Sequence, residues 1–193
     1  MAFYFAAFDD RIAISFATVG FGWSIAIISL FSTHSLNAAT PRLALIGYRP
    51  VEIVIGRILS IGAYAVVLGT LIFLFLRTDG VVVSESHLVA SLAFAFLGSS
   101  TAGLAVGAVT NREMEGMLTL IGLVSLTLVV AYDSLFAKIL PMYATDRHAW
   151  AAVNGALQPS ETPWRSTLLV AAVLGGIATI GTLLRIPRAD RGH

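Results

Sequence analysis

The sequence predicts an all-α, polytopic membrane protein: a bundle of about five transmembrane helices forming a single transmembrane domain over residues 1–193. Three observations carry this. The chain is 57% hydrophobic and only 12% charged, with a mean hydropathy of +0.85, whereas about a quarter of a soluble domain is charged. The charges gather between apolar runs instead of recurring along helical faces. Several of those runs approach the roughly 20 residues that carry a helix across about 30 Å of hydrocarbon. Helices are required because backbone groups in lipid must be satisfied within the segment, and the alternating ten-residue strands of a barrel are absent from the sequence.

Residues 1–11 read as an interfacial N-terminal segment, with Phe3, Tyr4 and Phe5 at the headgroups. Met1–Phe8 is too short to span, ends at Asp9-Asp10-Arg11, and lacks the basic leader and small-residue cleavage site of a signal peptide. It is alternatively the tail of a span lost upstream. The first span runs from about Ile12 to Thr33 without a charge. Between it and the next lies the polar segment Asn37–Glu52, punctuated at both ends. Thr40 suits a helix cap with Pro41 at the first helical position. Gly47 suits a left-handed stop. Pro50 then opens the next helix, with Glu52 in its first turn facing the positive dipole end. A compact helix is predicted here, presenting Leu43 and Ile46 on one side beside Arg42, Leu45 and Arg49.

The second span covers Ile58 to Leu76, its helix starting near Val51, and the third runs from Leu88 to Val109. Ser99, Gly103 and Gly107 recur every four residues on the third. Such a small-residue face permits close helix approach in lipid, within the chain or between copies, although glycine is common in membrane helices generally. Thr110 and Glu113 have capping-box spacing. The fourth span begins near Met117 and stays apolar to Tyr132, where it meets Asp133. Asp133 falls near the outer interface, hydrated or paired with Lys138. The stretch Asp133–Arg165 mixes Pro141, Pro159 and Pro163 with Phe136, Tyr143, Trp150 and Trp164, which predicts short helices dipping into the outer leaflet. Thr162-Pro163 opens the fifth span, Ser166 to Leu184, and residues 184–193 form a tail.

Five spans put the termini on opposite sides. With the Thr40 segment inside, that side carries seven basic residues (Arg42, Arg49, Arg57, Arg112, Arg185, Arg188, Arg191) against five outside (Arg11, Arg77, Lys138, Arg147, Arg165). The excess favours a cytoplasmic C-terminus.

The chemistry is narrowed by what the chain lacks. Lys138 is the only lysine and no Gly-Lys-Ser/Thr occurs, so there is no nucleotide-binding P-loop. Without cysteine there is no disulfide and no thiolate ligand or nucleophile. His34, His87, His148 and His193 show no His-Glu-x-x-His pattern. Ser99-Ser100 has no histidine or lysine within a span to act as its base. No catalytic or metal residues are therefore assigned, and neither an enzyme nor a nucleic-acid binder is expected.

From about Gly20 onward the chain resembles the permease subunits of type II ABC exporters. The resemblance rests on "NAATPRLALIGYRPVEIVIGRIL", similar to that family's coupling helix and following span, and on "KILPMYATDRHAWAAVNGALQP", similar to its external re-entrant helical hairpin before the last span. The family usually has six spans, whereas five are read here. The resemblance implies an exporter of hydrophobic or amphiphilic cargo in the cytoplasmic membrane of a prokaryote. A separate ABC ATPase subunit would carry ATP and Mg and dock on Thr40, Pro41, Arg42, Leu43, Leu45, Ile46, Arg49 and Glu52. A second permease subunit, identical or homologous, completes the assembly, and this chain itself holds no cofactor. Two other readings remain open: a secondary transporter, and a membrane scaffold or sensor that recruits a cytosolic partner.

Overall fold

Every regular element among the described residues is helical, as a backbone in hydrocarbon requires. The computed structural model describes residues 10–47, 50–80, 82–110, 112–130, 134, 136–155 and 163–185. Met1–Phe8, Arg49, Asp133, Pro159, Thr162 and the tail beyond Arg185, all given roles above, lie outside them.

Helix α1, Asp10–Leu45, has 36 residues, about 54 Å at 1.5 Å per residue. Its membrane-compatible part is Ile12–Ser35. The separate Thr40–Gly47 helix expected from the sequence does not form, because α1 continues unbroken through Thr40 and Pro41. No glycine or proline between Thr33 and Thr40 stops the helix, and Ala38 and Ala39 are among the best helix formers. Pro41 inside it forfeits a backbone hydrogen bond without ending it. Gly47 does take the left-handed conformation, at φ 97°, and the Ile46 N–H donates back to the carbonyls of Arg42 and Leu43 at 3.3 and 3.2 Å.

Helix α2, Pro50–Thr78, opens at Pro50 with Glu52 in its first turn, as expected. A turn through Gly80 (φ 72°) leads to α3, Glu85–Val109, and Arg77 Nε pairs with Glu85 at 3.0 Å across it. The predicted Thr110–Glu113 capping box is absent. Thr110 instead closes α3, donating its hydroxyl and its N–H to the Val106 carbonyl at 2.8 Å each. Arg112 occupies the cap position of α4, Glu113–Val129, with Glu113 and Glu115 in its first turn, where the dipole favours acids.

Among the described residues, four helices are long and apolar enough to cross a membrane: Ile12–Ser35, Glu52–Thr78, Glu85–Val109 and Pro163–Thr182. The remaining expected span corresponds to α4, which begins before Met117 and has 17 residues, about 26 Å and so at the lower limit for crossing. Where short dipping helices were expected, the described residues form one 3₁₀ turn, Ala137–Ile139, and one helix, α5, Tyr143–Asn154, ended by Gly155 at φ 84°. Helix α6, Pro163–Arg185, starts at Pro163 as predicted.

Helix α3 is the centre, packed on α1, α5 and α6. Ile14, Phe21, Ile25, Leu88, Ala95 and Met142 fill the main core, and Ala26, Leu30, Ala102 and Leu120 tie α1 and α3 to α4. Helix α2 leans mainly on α1 and leaves most of its surface exposed.

Candidate functional site

The residues singled out around the α1–α2 connection sit on the last turns of α1 and the first turn of α2. Ile46, an apolar side chain at the tip, is 75% exposed. Arg42 and Glu52 are exposed and Leu43 is half-buried. Thr40, Pro41 and Leu45 have a helical backbone, and their side chains lie outside what is described. Because α1 runs past its membrane-compatible part by some ten residues, this tip stands about 15 Å beyond Ser35.

The small residues of α3 lie elsewhere, against α1. Ser99 is within reach of Gly22, where an added Cβ would lie 2.7 Å from its hydroxyl. A Cβ on Gly103 would strike the Ala26 carbonyl and lie 2.8 Å from the Ser29 side chain, and one on Gly107 would lie 2.7 Å from Thr33. Gly116 of α4 adds to this seam against Leu30. The face therefore holds α1 and α3 at backbone distance.

Sequence reasoning counted Arg57 only as a basic residue near a span end. In the fold it reaches from α2 to α1, where its guanidinium donates to Thr33 Oγ1 and lies 3.5 Å from the Ser29 carbonyl. These are the α1 residues that Gly103 and Gly107 touch from the other side. Contacts thus run from the α2 segment just behind the tip, through Ser29 and Thr33, to the α3 seam.

At the other end of α3, helix α5 is held by polar contacts. Ser91 donates to the Thr145 carbonyl at 2.7 Å, and the Ala144 N–H donates to Thr167 Oγ1 of α6 at 3.2 Å. Val83 and Ser84 N–H groups both donate to the Ala152 carbonyl at 2.9 Å. Gly98 makes room for the Pro141 carbonyl, which any Cβ there would strike. His148 stacks on Phe94 with ring centroids 5.2 Å apart, and its Nδ1 lies 3.3 Å from Nδ1 of His87. Burial, followed by the neighbouring His87, pushes the His148 pKa down. Asp146 accepts from Ser15 at 3.5 Å, and burial pushes its carboxyl up to about 6 against the opposing pull of Arg147 and Ser15. The histidine pairing joins residues 61 apart in sequence, and no i, i+4 pattern could reveal it. Among the described residues no group of three or more His, Cys, Asp or Glu is arranged to hold a metal.

No protein-family model, no curated protein and no solved structure matches this chain.

Proposed function

We propose that this chain is a permease subunit of an ATP-driven exporter of the type II ABC class, working with a separate ATPase. The observation that carries the reading is the exposed tip between α1 and α2, with Ile46 open and the basic Arg42 beside it. A push on this tip bears on two long helices at once, and the Arg57–Thr33 contact passes the displacement to the α1–α3 seam. Thr40–Glu52 would form the coupling surface, and the 3₁₀ turn with α5 would be the re-entrant element closing the outer side. The apolar spans suit a hydrophobic or amphiphilic cargo. Two permease subunits would pair, in the cytoplasmic membrane of a prokaryote, with the tip and the C-terminus inside.

Burial of a fully exposed leucine-sized side chain is worth roughly 1.5–3 kcal/mol, so the open Ile46 and the half-buried Leu43 together would supply about 2–4 kcal/mol of docking energy. Replacing both with Asp should weaken association with a P-loop ATPase by about a hundredfold while membrane insertion and yield persist. Arg42→Glu should do less, changing mainly on-rate and salt dependence. The measurement is copurification of the ATPase and its turnover in membranes. A double variant that keeps its full complement of ATPase and transports normally shows that the tip is not a coupling surface, and moves a scaffold role ahead.

A further inference from the structure

Between α2 and α3, floored by Phe21 of α1, runs an open groove of about 850 Å³. Ile58, Gly62 and Phe73 mark its α2 wall, and Ala93 and Phe96 its α3 wall. Thr70 is the one polar side chain among its lining residues. Both walls belong to membrane-compatible segments, so the groove opens sideways into hydrocarbon. From Ile58 to Phe73 it follows α2 for about 22 Å, longer than the roughly 15 Å of one leaflet's hydrocarbon.

One residue before Ile58 in the chain, outside the groove's own lining, stands Arg57. Its guanidinium is held by neutral oxygens of Thr33 and Ser29. Its Nε is buried without a hydrogen-bond partner, as is Ser29 Oγ. Among the described residues no carboxylate lies within ion-pair distance of it. A cation withdrawn from water and left without a counter-charge is costly, and the described part of the chain supplies none. An apolar trough alone would accept any hydrocarbon surface, including a helix of a second copy. A guanidinium beside the Ile58 end, without a counter-charge among the described residues, selects an anion.

We propose that the groove seats one acyl chain of an anionic phospholipid from the surrounding bilayer, with the lipid phosphate on Arg57. The phosphate would take the free donor capacity of the guanidinium in the geometry arginine favours. The small residues Gly62 and Ala93 leave the space that the chain fills. This lipid is a resident of the fold and not the transported cargo, so the proposal stands apart from the exporter reading and its test needs no ATPase.

The test is native mass spectrometry of the purified, delipidated chain titrated with phosphatidylglycerol and with phosphatidylcholine. Wild type should retain phosphatidylglycerol about tenfold more tightly, the scale of one charge-assisted contact. Arg57→Gln should erase this preference and Arg57→Lys should keep most of it. A Cβ added at Gly62 meets nothing within 4 Å, and Gly62→Leu sends the rest of its side chain into the groove it lines, so the fold should survive while retention of both lipids falls. Equal retention of the two lipids by wild type, or an undiminished preference in Arg57→Gln, overturns the proposal. So does a Gly62→Leu variant that changes oligomeric state without changing lipid retention, since the groove would then belong to a second copy.

Discussion

Asp146 and His148 sit two positions apart on α5 and respond to pH in opposite senses. The Asp146 carboxyl keeps its proton to about pH 6 in the folded chain, against its ordinary 3.8. Folding therefore takes up a proton between about pH 4 and 6, and its contribution to stability falls as pH rises through that window. Asp146→Asn removes the burial cost of the charge and should raise stability at pH 7.5 by about 2–3 kcal/mol, read as a higher unfolding temperature in detergent. His148 is held below its ordinary 6.5, so the unfolded chain protonates first and stability is lost as pH falls below about 6.5. In Asp146→Asn that acid loss should stand alone, giving a stability curve that only rises from pH 4.5 to 8. A curve that still declines between pH 4.5 and 6 would contradict the assignment. Gly98 is a second sensitive position. Its missing Cβ admits the Pro141 backbone, and Gly98→Ala should cost more than about 2 kcal/mol because a backbone carbonyl has little room to yield.

Among the helices, the α1–α3 seam and the α2 groove give opposite expectations for the same substitution. Gly103→Leu drives a side chain into the Ala26 carbonyl and should destabilise by about 1–3 kcal/mol. At Gly62 an added Cβ meets nothing within 4 Å, and Gly62→Leu should change stability by less than about 0.5 kcal/mol. Equal thermal midpoints for the two variants would show that the seam is not close-packed. Glycine spacing could nominate the α3 face but not its partner, since both α1 and a second copy satisfied the pattern. Helix ends followed the same division. Gly47 and Pro50 act through their own backbone restrictions and were legible from sequence. Thr40 and Thr110 were not, because a threonine hydroxyl serves equally to start a helix or to bond back to a carbonyl four residues earlier. At Thr110 the second option wins.

Across the bundle, the apolar runs identified where helices lie because lipid leaves the backbone no alternative. Which of them cross is a finer matter, and α4, with 17 residues, shows why: length alone places it at the limit. Charge counts address sidedness only through a small arginine excess. The chain contains no cysteine, so single cysteines placed at Leu45 and Asn154 report topology directly. An impermeant reagent on intact cells should label Asn154→Cys and spare Leu45→Cys. The reverse pattern would invert the orientation and overturn the ATPase docking proposed for the tip. Distant pairings were the least legible. Arg57 with Thr33, His87 with His148 and Ser91 with Thr145 depend on helix order in space, which a local period does not encode.

The seat of α5 also bears on how the chain is made. Helix α3 uses Gly98 to receive Pro141, and Ser99 to meet Met142, 43 residues later. When α3 leaves the ribosome, the segment that fills this notch has not been synthesised. At about 5–20 residues per second, several seconds pass with serine hydroxyls and a glycine cleft of the third span facing lipid or the insertion machinery. Final closure of the bundle must wait for α5 and for Thr167 of α6 behind it, so a ribosome that stalls within that interval leaves a nascent chain open to membrane quality control.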